Sequence, residues 1–132
     1  MLTIDLDHFK VINDRFGHAM GDSVLVSVSN AIRAVLHTAE RGDHCVARLG
    51  GEEFAVVLDV AEGALAASMA EMVRHSIALV ARDIGHPGLV TTAAIGLSKW
   101  GPGQSLDEVL SQADDALYRA KARGRNRVTA AA

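Results

Sequence analysis

Aromatic residues supply only 4% of this 132-residue chain, which has one cysteine and two prolines. No apolar run nears the ~18 residues of a membrane span. Each scarcity excludes something. A lone Cys45 can neither close an internal disulfide nor build a thiolate metal site, which fits a reducing compartment. Its apolar neighbours Val46 and Ala47 predict a small buried hydrophobe there. The first residues lack the basic start and apolar stretch of a secretory leader, so the expected location is the cytoplasm, with no membrane segment. Positive charge is not in excess: 13 Lys and Arg stand against 16 Asp and Glu, a net charge of −3. General nucleic-acid affinity is therefore not expected. Repeats, linkers and low-complexity segments are missing beyond the Ala130-Ala131-Ala132 tail. The remainder, 49% hydrophobic and 22% charged, suits one globular domain with a single core.

What is present centres on Arg48-Leu49-Gly50-Gly51-Glu52-Glu53-Phe54. Strand-like runs flank it, Cys45-Val46-Ala47 before and Ala55-Val56-Val57-Leu58 after, so Gly50-Gly51 reads as a tight hairpin turn needing positive φ. Two glutamates then sit at a hairpin tip. Adjacent carboxylates repel and gain nothing for a fold, so a cation, a buried proton or plain solvation must account for them.

Met1 to Asp7 predicts a first strand, with Thr3, Asp5 and Asp7 on one face and Leu2, Ile4 and Leu6 on the other. Asp7 suits an N-cap for a short helix from Phe9 to Asn13. Asp5 has no such local role. The glycines of Phe16-Gly17-His18-Ala19-Met20-Gly21-Asp22 predict a loop, within which His18 reads as a structural, backbone-bonded histidine. Helical periodicity follows from Ser23 to about Thr38, and again through Leu65, Met69, Met72, Val73, Ile77 and Val80 to a stop at Gly85 and Pro87. Leu89 to Leu97 reads as a strand. Ser105-Leu106-Asp107-Glu108 is a capping box, opening a helix with Leu106, Val109, Leu110, Ala113 and Leu117 inward and an end at Gly124. Val128-Thr129 fits a last short strand. The order β-α-β-β-α-β-α-β predicts an α+β fold of ferredoxin-like, palm-type architecture: an antiparallel-containing sheet flanked by helices. In it the first strand and the hairpin are central neighbours, which brings Asp5 beside Glu52 and Glu53.

Three carboxylates with only oxygen donors suit Mg²⁺ or Mn²⁺ rather than zinc. Magnesium fills its remaining positions with water and substrate phosphates, so the expected substrate is a nucleoside triphosphate and the chemistry phosphoryl or nucleotidyl transfer. Arg119, Lys121, Arg123, Arg125 and Arg127 crowd the C-terminus, a run that serves either as a solvated helix end or as a phosphate site.

Taken together, Asp5-Leu6-Asp7-His8-Phe9-Lys10, Ile12-Asn13-Asp14, Phe16-Gly17-His18, Gly21-Asp22, Arg48 to Phe54 and Ala120-Lys121-Ala122-Arg123-Gly124-Arg125-Asn126 closely resemble the GGDEF family of diguanylate cyclases. The resemblance covers essentially the whole chain. It implies condensation of two GTP into cyclic di-GMP with release of pyrophosphate, on a fold similar to polymerase palms and nucleotide cyclases. It implies Asp5 and Glu52 as metal ligands with the Leu6 carbonyl, and Glu53 as a second ligand or an aid to the 3′-hydroxyl. Asn13 and Asp22 would read guanine, against the plainer alternative of helix capping. His8, Phe9 and Lys10 would offer amides to the β- and γ-phosphates, and Lys121 and Arg125 would neutralise them. Arg119, Arg123 and Arg127 match no contact and read as solvated. One chain holds one nucleotide in this arrangement, so catalysis is expected to need a homodimer with facing sites, under an upstream sensor or receiver domain.

Two departures stand out. The family's product-inhibition pattern R-x-x-D reads here Arg41-Gly42-Asp43-His44, with histidine in the aspartate's place and Asp43 one residue early, facing the other way. Weak or absent product inhibition follows. The domain, expected to span residues 1–132, also lacks the D-x-L-T-G-L-x-N-R helix segment that usually precedes the first strand. A silent GGDEF-type module that binds GTP or cyclic di-GMP for regulation is the alternative function. A third reading is another palm-type cyclase or a polymerase fragment, against which the Asn13 and Asp22 pair argues.

Overall fold

The computed structural model describes residues 1–39 and 42–132. In chain order its elements are β1 (Leu2–Leu6), α1 (Phe9–Phe16), α2 (His18–Thr38), β2 (Cys45–Gly50), β3 (Glu53–Val57), α3 (Gly63–Ile84), β4 (Ala93–Leu97), α4 (Leu106–Ala122) and β5 (Arg127–Ala130). The strands form one sheet in the order β2-β3-β1-β4-β5. β1 runs antiparallel to both β3 and β4, and β5 joins parallel to β4 through the α4 crossover. The first four strands make the split arrangement expected of a ferredoxin-like sheet, and β5 extends it.

β1 is the centre because both of its faces are covered. Leu2 and Ile4 are fully buried in one large core with Val28 and Ile32 of α2, Val73 and Ile77 of α3, Val56 of β3 and Ile95 of β4. Each such side chain contributes about 1.5–3 kcal/mol by burial. Thr3 and Asp5 lie on the opposite face, toward α4, and are buried too. The expected polar face of β1 is therefore not a wet one. α2 and α3 are long enough to cross a membrane and reach a mean hydropathy of 1.2. Their apolar excess is the buried stripe just described, as in any core helix.

Several local expectations are corrected. The segment from Phe16 to Asp22 is not a loop: only Gly17, at φ 90°, interrupts the chain, and α2 starts at His18. Gly21 is thus a helical residue, and it marks a close approach rather than a turn, since a Cβ there would collide with Asn13 Oδ1. His18 is an exposed residue of the first turn of α2. Asp7 does not cap α1. The N-cap is His8, left-handed at φ 54°, with no side-chain cap bond. β4 begins at Ala93 rather than Leu89. Cys45 is exposed because β2 is an edge strand with its α4-side face uncovered. Leu106, expected inward, is 52% exposed at the first turn of α4. The capping box is present as read, with Glu108 N–H donating to Ser105 Oγ at 3.2 Å and Ser105 N–H to Glu108 Oε2 at 2.7 Å.

Candidate active site

The C-terminal edge of β1 carries the candidate site. The hairpin turn is formed as predicted, with Gly50 at φ 149° and Gly51 at φ 51°. It returns the chain so that Glu53 faces Asp5 across the β1–β3 register, while Leu6 N–H donates to the Glu52 carbonyl at 3.2 Å. Glu52 stands in the turn just before β3, so the strand register that sets Glu53 opposite Asp5 does not extend to it. Among the described residues no three His, Cys, Asp or Glu side chains are grouped to hold an ion. The expected convergence of three carboxylates is therefore not formed in this structure. What is formed is a pair of carboxylates on one face, with a third and the Leu6 carbonyl at the same turn.

The cation against Asp5 is the Lys121 ammonium of α4, 2.8 Å from Asp5 Oδ2. Asp5 is 8% exposed, so this charge-assisted bond offsets much of the cost of burying its carboxylate. Lys121 thus lies at the metal-ligand candidate, at the same edge where a phosphate would sit. The donor set of Asp5, the Leu6 carbonyl, Glu52 and Glu53 is all oxygen, and its chemistry fits a hard divalent ion.

Beyond Lys121 the helix ends in a Schellman motif: Gly124 N–H donates to the Lys121 carbonyl at 3.3 Å, and Arg125 N–H to the Ala120 carbonyl at 3.0 Å. Gly124 at φ 110° satisfies that motif, but the next two residues are left-handed as well, Arg125 at φ 61° and Asn126 at φ 43°. A non-glycine residue in this region costs about 1–2 kcal/mol, somewhat less for Asn, and persists only where contacts hold it. Asp7 and Arg74 supply them. Asn126 N–H donates to Asp7 Oδ2 at 2.9 Å, and Arg74 Nη1 to Asn126 Oδ1 at 2.9 Å. Asp7 Oδ2 also accepts from the Thr92 hydroxyl at 2.7 Å. Asp7 is 5% exposed, and its Oδ1 is buried with no hydrogen-bond partner among the described residues. Sequence reasoning missed Asp7, Thr92, Arg74 and Asn126 as one network. The signal available was that Asp7, two residues after Asp5, falls on the same face of an extended run.

The remaining candidates fall on α1 and α2. Val11 and Ile12 amides bond back to the His8 carbonyl, so the amides of Phe9 and Lys10 stand at the helix start without an intrahelical acceptor. Asn13 is half-buried against Gly21, and Asp22 follows at the fifth position of α2, exposed. A fifth-position residue cannot cap, and Asn13 gives only its backbone carbonyl to the α1 C-cap, accepting from Gly17 N–H at 2.9 Å. Among the described residues neither side chain has a hydrogen-bond partner, which leaves both available for another use. The other basic residues are less idle than expected: Arg119 Nη2 donates to the Ala130 carbonyl at 3.1 Å, and Arg127 Nε to the Arg125 carbonyl at 3.0 Å.

Of the altered inhibitory pattern, Arg41 lies outside the described residues. His44 Nδ1 accepts from Asp59 N–H at 3.0 Å, and Asp59 Oδ2 accepts from Asp43 N–H at 3.2 Å. These bonds close the base of the hairpin.

A family model described as the GGDEF domain of diguanylate cyclase matches residues 1–127. The chain is 44% identical over 131 residues to diguanylate cyclase DgcM of Escherichia coli, covering 99% of this chain and 30% of that protein. It is 39% identical to the cyclic di-GMP phosphodiesterase NbdA of Pseudomonas aeruginosa, over 96% of this chain and 16% of that one. The crystal structure of the coiled coil and GGDEF domain of DgcB from Caulobacter crescentus, in complex with cyclic di-GMP, superposes with a TM-score of 0.86 at 33% identity, over 98% of this chain and 68% of that chain. The chain spans about a third or less of the length of the two curated relatives.

Proposed function

Since this chain belongs to the GGDEF family, we propose that it is a diguanylate cyclase domain that joins two GTP molecules into cyclic di-GMP, releasing two pyrophosphates. The observation that carries the reading is the β1 edge, where Asp5 faces Glu53 in register and is met by Lys121. In the first step the 3′-hydroxyl oxygen of one GTP bonds to the α-phosphorus of the other, the bond to pyrophosphate breaks and the hydroxyl proton passes to water; in the second the remaining 3′-hydroxyl closes the ring on the remaining α-phosphorus in the same way. Each chain binds one GTP, so two chains must face each other, and the gain is mainly from positioning and charge neutralisation.

In this reading Asp5, Glu52 and the Leu6 carbonyl hold Mg²⁺ or Mn²⁺, and Glu53 is a further ligand or orients the 3′-hydroxyl. The ion, when bound, neutralises phosphate charge. Asp22 accepts from guanine N1–H and the 2-amino group, Asn13 bonds the other edge, and adenine presents the wrong pattern to both. The His8, Phe9 and Lys10 amides with Lys121 and Arg125 take the β- and γ-phosphates. A cytoplasmic location supplies GTP, and an upstream sensor or receiver domain supplies control of dimerisation. Product inhibition through Arg41 and His44 is weak, and the commitment of His44 Nδ1 to Asp59 supports that.

The second reading, a silent GGDEF module, is favoured by one observation, that a relative of comparable identity is named a phosphodiesterase. The test is incubation of concentrated chain with Mg²⁺ and GTP, products separated by chromatography, beside Glu52→Ala. Cyclic di-GMP should form with the parent and fall roughly 100-fold or more in the variant. GTP bound without product by a folded parent shown to be dimeric would replace the cyclase reading with the silent one.

A further inference from the structure

The proposed function makes no use of Asp7, yet its carboxylate is tied to a turn of consecutive positive-φ residues. It is buried just after β1, 5% exposed, and one oxygen takes two donors, the Thr92 hydroxyl at 2.7 Å and the Asn126 amide at 2.9 Å. A Schellman motif needs a single left-handed residue, and Gly124 already provides it. Arg125 and Asn126 continue in the left-handed region, where side-chain-bearing residues rarely stay without restraint. The restraint comes from Asp7 below and from Arg74 of α3, whose Nη1 donates to Asn126 Oδ1 while its Nε is held by Glu71 at 2.8 Å. Asn126 is gripped by backbone and side chain from two residues 119 and 52 positions away in sequence. The residue carried on this turn is Arg125, four positions beyond Lys121.

We propose that Asp7 is a positioning residue, which holds the left-handed Gly124-Arg125-Asn126 turn through the Asn126 amide and so aims Arg125 at the terminal phosphates of the nucleotide. The inference rests on the reading of Arg125 as a phosphate ligand. It assigns Asp7 neither to the metal nor to a helix cap, and it makes Arg74 a brace on the outer side of the same turn. The energetic logic is pre-organisation: a turn already held costs the ligand no ordering on binding.

The consequence is selective. An arm that touches only the β- and γ-phosphates changes affinity for a triphosphate and not for the monophosphate, whereas general damage to the domain weakens both. The probes are 3′-deoxy-GTP, which has no 3′-hydroxyl and cannot react, and GMP, each titrated calorimetrically in Mg²⁺. Asp7→Ala should raise the 3′-deoxy-GTP Kd about tenfold, the worth of one charge-assisted bond, and leave the GMP Kd within about twofold. Arg125→Ala should do the same, and Asp7→Ala combined with Arg125→Ala should be no worse than the larger single effect, because the two act as one unit. Asp7→Asn keeps an acceptor for the amide and should restore most of the loss. Equal weakening of both probes, multiplying losses in the double variant, or no change in Asp7→Ala would each overturn the proposal. If Asp7→Ala does not fold, Arg74→Met carries the test, with a triphosphate-only loss of about threefold expected and a parallel or absent loss overturning it. A parent that binds neither probe sinks the cyclase reading beneath, a result distinct from all of these.

Discussion

The two ends of α4 obey different rules. Its N-terminus is closed by Ser105 and Glu108, whose reciprocal bonds span three residues and involve nothing else in the fold. Its C-terminus runs through three consecutive left-handed residues and is held by Asp7 and Arg74 from across the molecule. One end is assembled from local preference alone, and it is exposed and far from the carboxylate edge. The other sets local preference aside, and Lys121 and Arg125 sit on it. Conformational cost concentrates where groups must be held in one place, and relaxed caps serve where only the helix needs an end.

The largest break in that comparison is expected at Lys121. Lys121→Met keeps the stem that packs along α4 but leaves the Asp5 carboxylate, 8% exposed, without its cation. Loss of about 1–3 kcal/mol of folding stability is expected, below the range for fully buried pairs because Lys121 is itself partly exposed. Mg²⁺ should recover part of this in the variant and add less to the parent, where Lys121 already neutralises Asp5. Urea denaturation with and without Mg²⁺ measures both. Equal Mg²⁺ effects on the two proteins would show that the ion does not meet Asp5. Cyclic di-GMP formation by the variant should fall roughly 100-fold, through the lost phosphate contact.

At the other end, Ser105→Ala removes the hydroxyl that accepts from Glu108 N–H. A loss of about 1 kcal/mol is expected from the cap, with GTP turnover unchanged. Turnover that falls together with stability would mean that the two ends are coupled through the helix and that the contrast drawn above is false.

The same contrast explains what was legible in the sequence. The capping box, the hairpin turn and the helix stop at Gly85 follow from patterns only a few residues long, and all are present. Asp7 misled because an aspartate ahead of a helix satisfies the local rule for an N-cap, while its actual partners lie 85 and 119 residues away. Gly21 misled in the same way: a glycine read as a turn is a clearance for Asn13, visible only once α1 and α2 are packed. Cys45 has apolar neighbours but sits on an edge strand, and edge position is a property of the sheet. Of the candidate site, the pairing of Asp5 with Glu53 was legible from register and is present. The Lys121 pairing with Asp5 was not, because α4 must first cross the sheet.

The smallest effect sharpens the local end. Hydrogen bonds from the Ser105 backbone N–H, and next from its hydroxyl, hold the Glu108 carboxyl below its ordinary value of 4.5. A carboxyl depressed by folding stabilises the native state above its unfolded value, and that contribution is lost as pH falls through the lower folded value. Glu108→Gln keeps an oxygen acceptor and removes the titration. At neutral pH the parent should therefore be slightly the more stable of the two, and the gap should begin to close below pH 4.5 and vanish at still lower pH. Guanidinium midpoints compared pair by pair isolate the Glu108 contribution, since every other carboxylate is common to both proteins. A gap that stays constant with pH would mean that the box acts through bond geometry alone, without its charge.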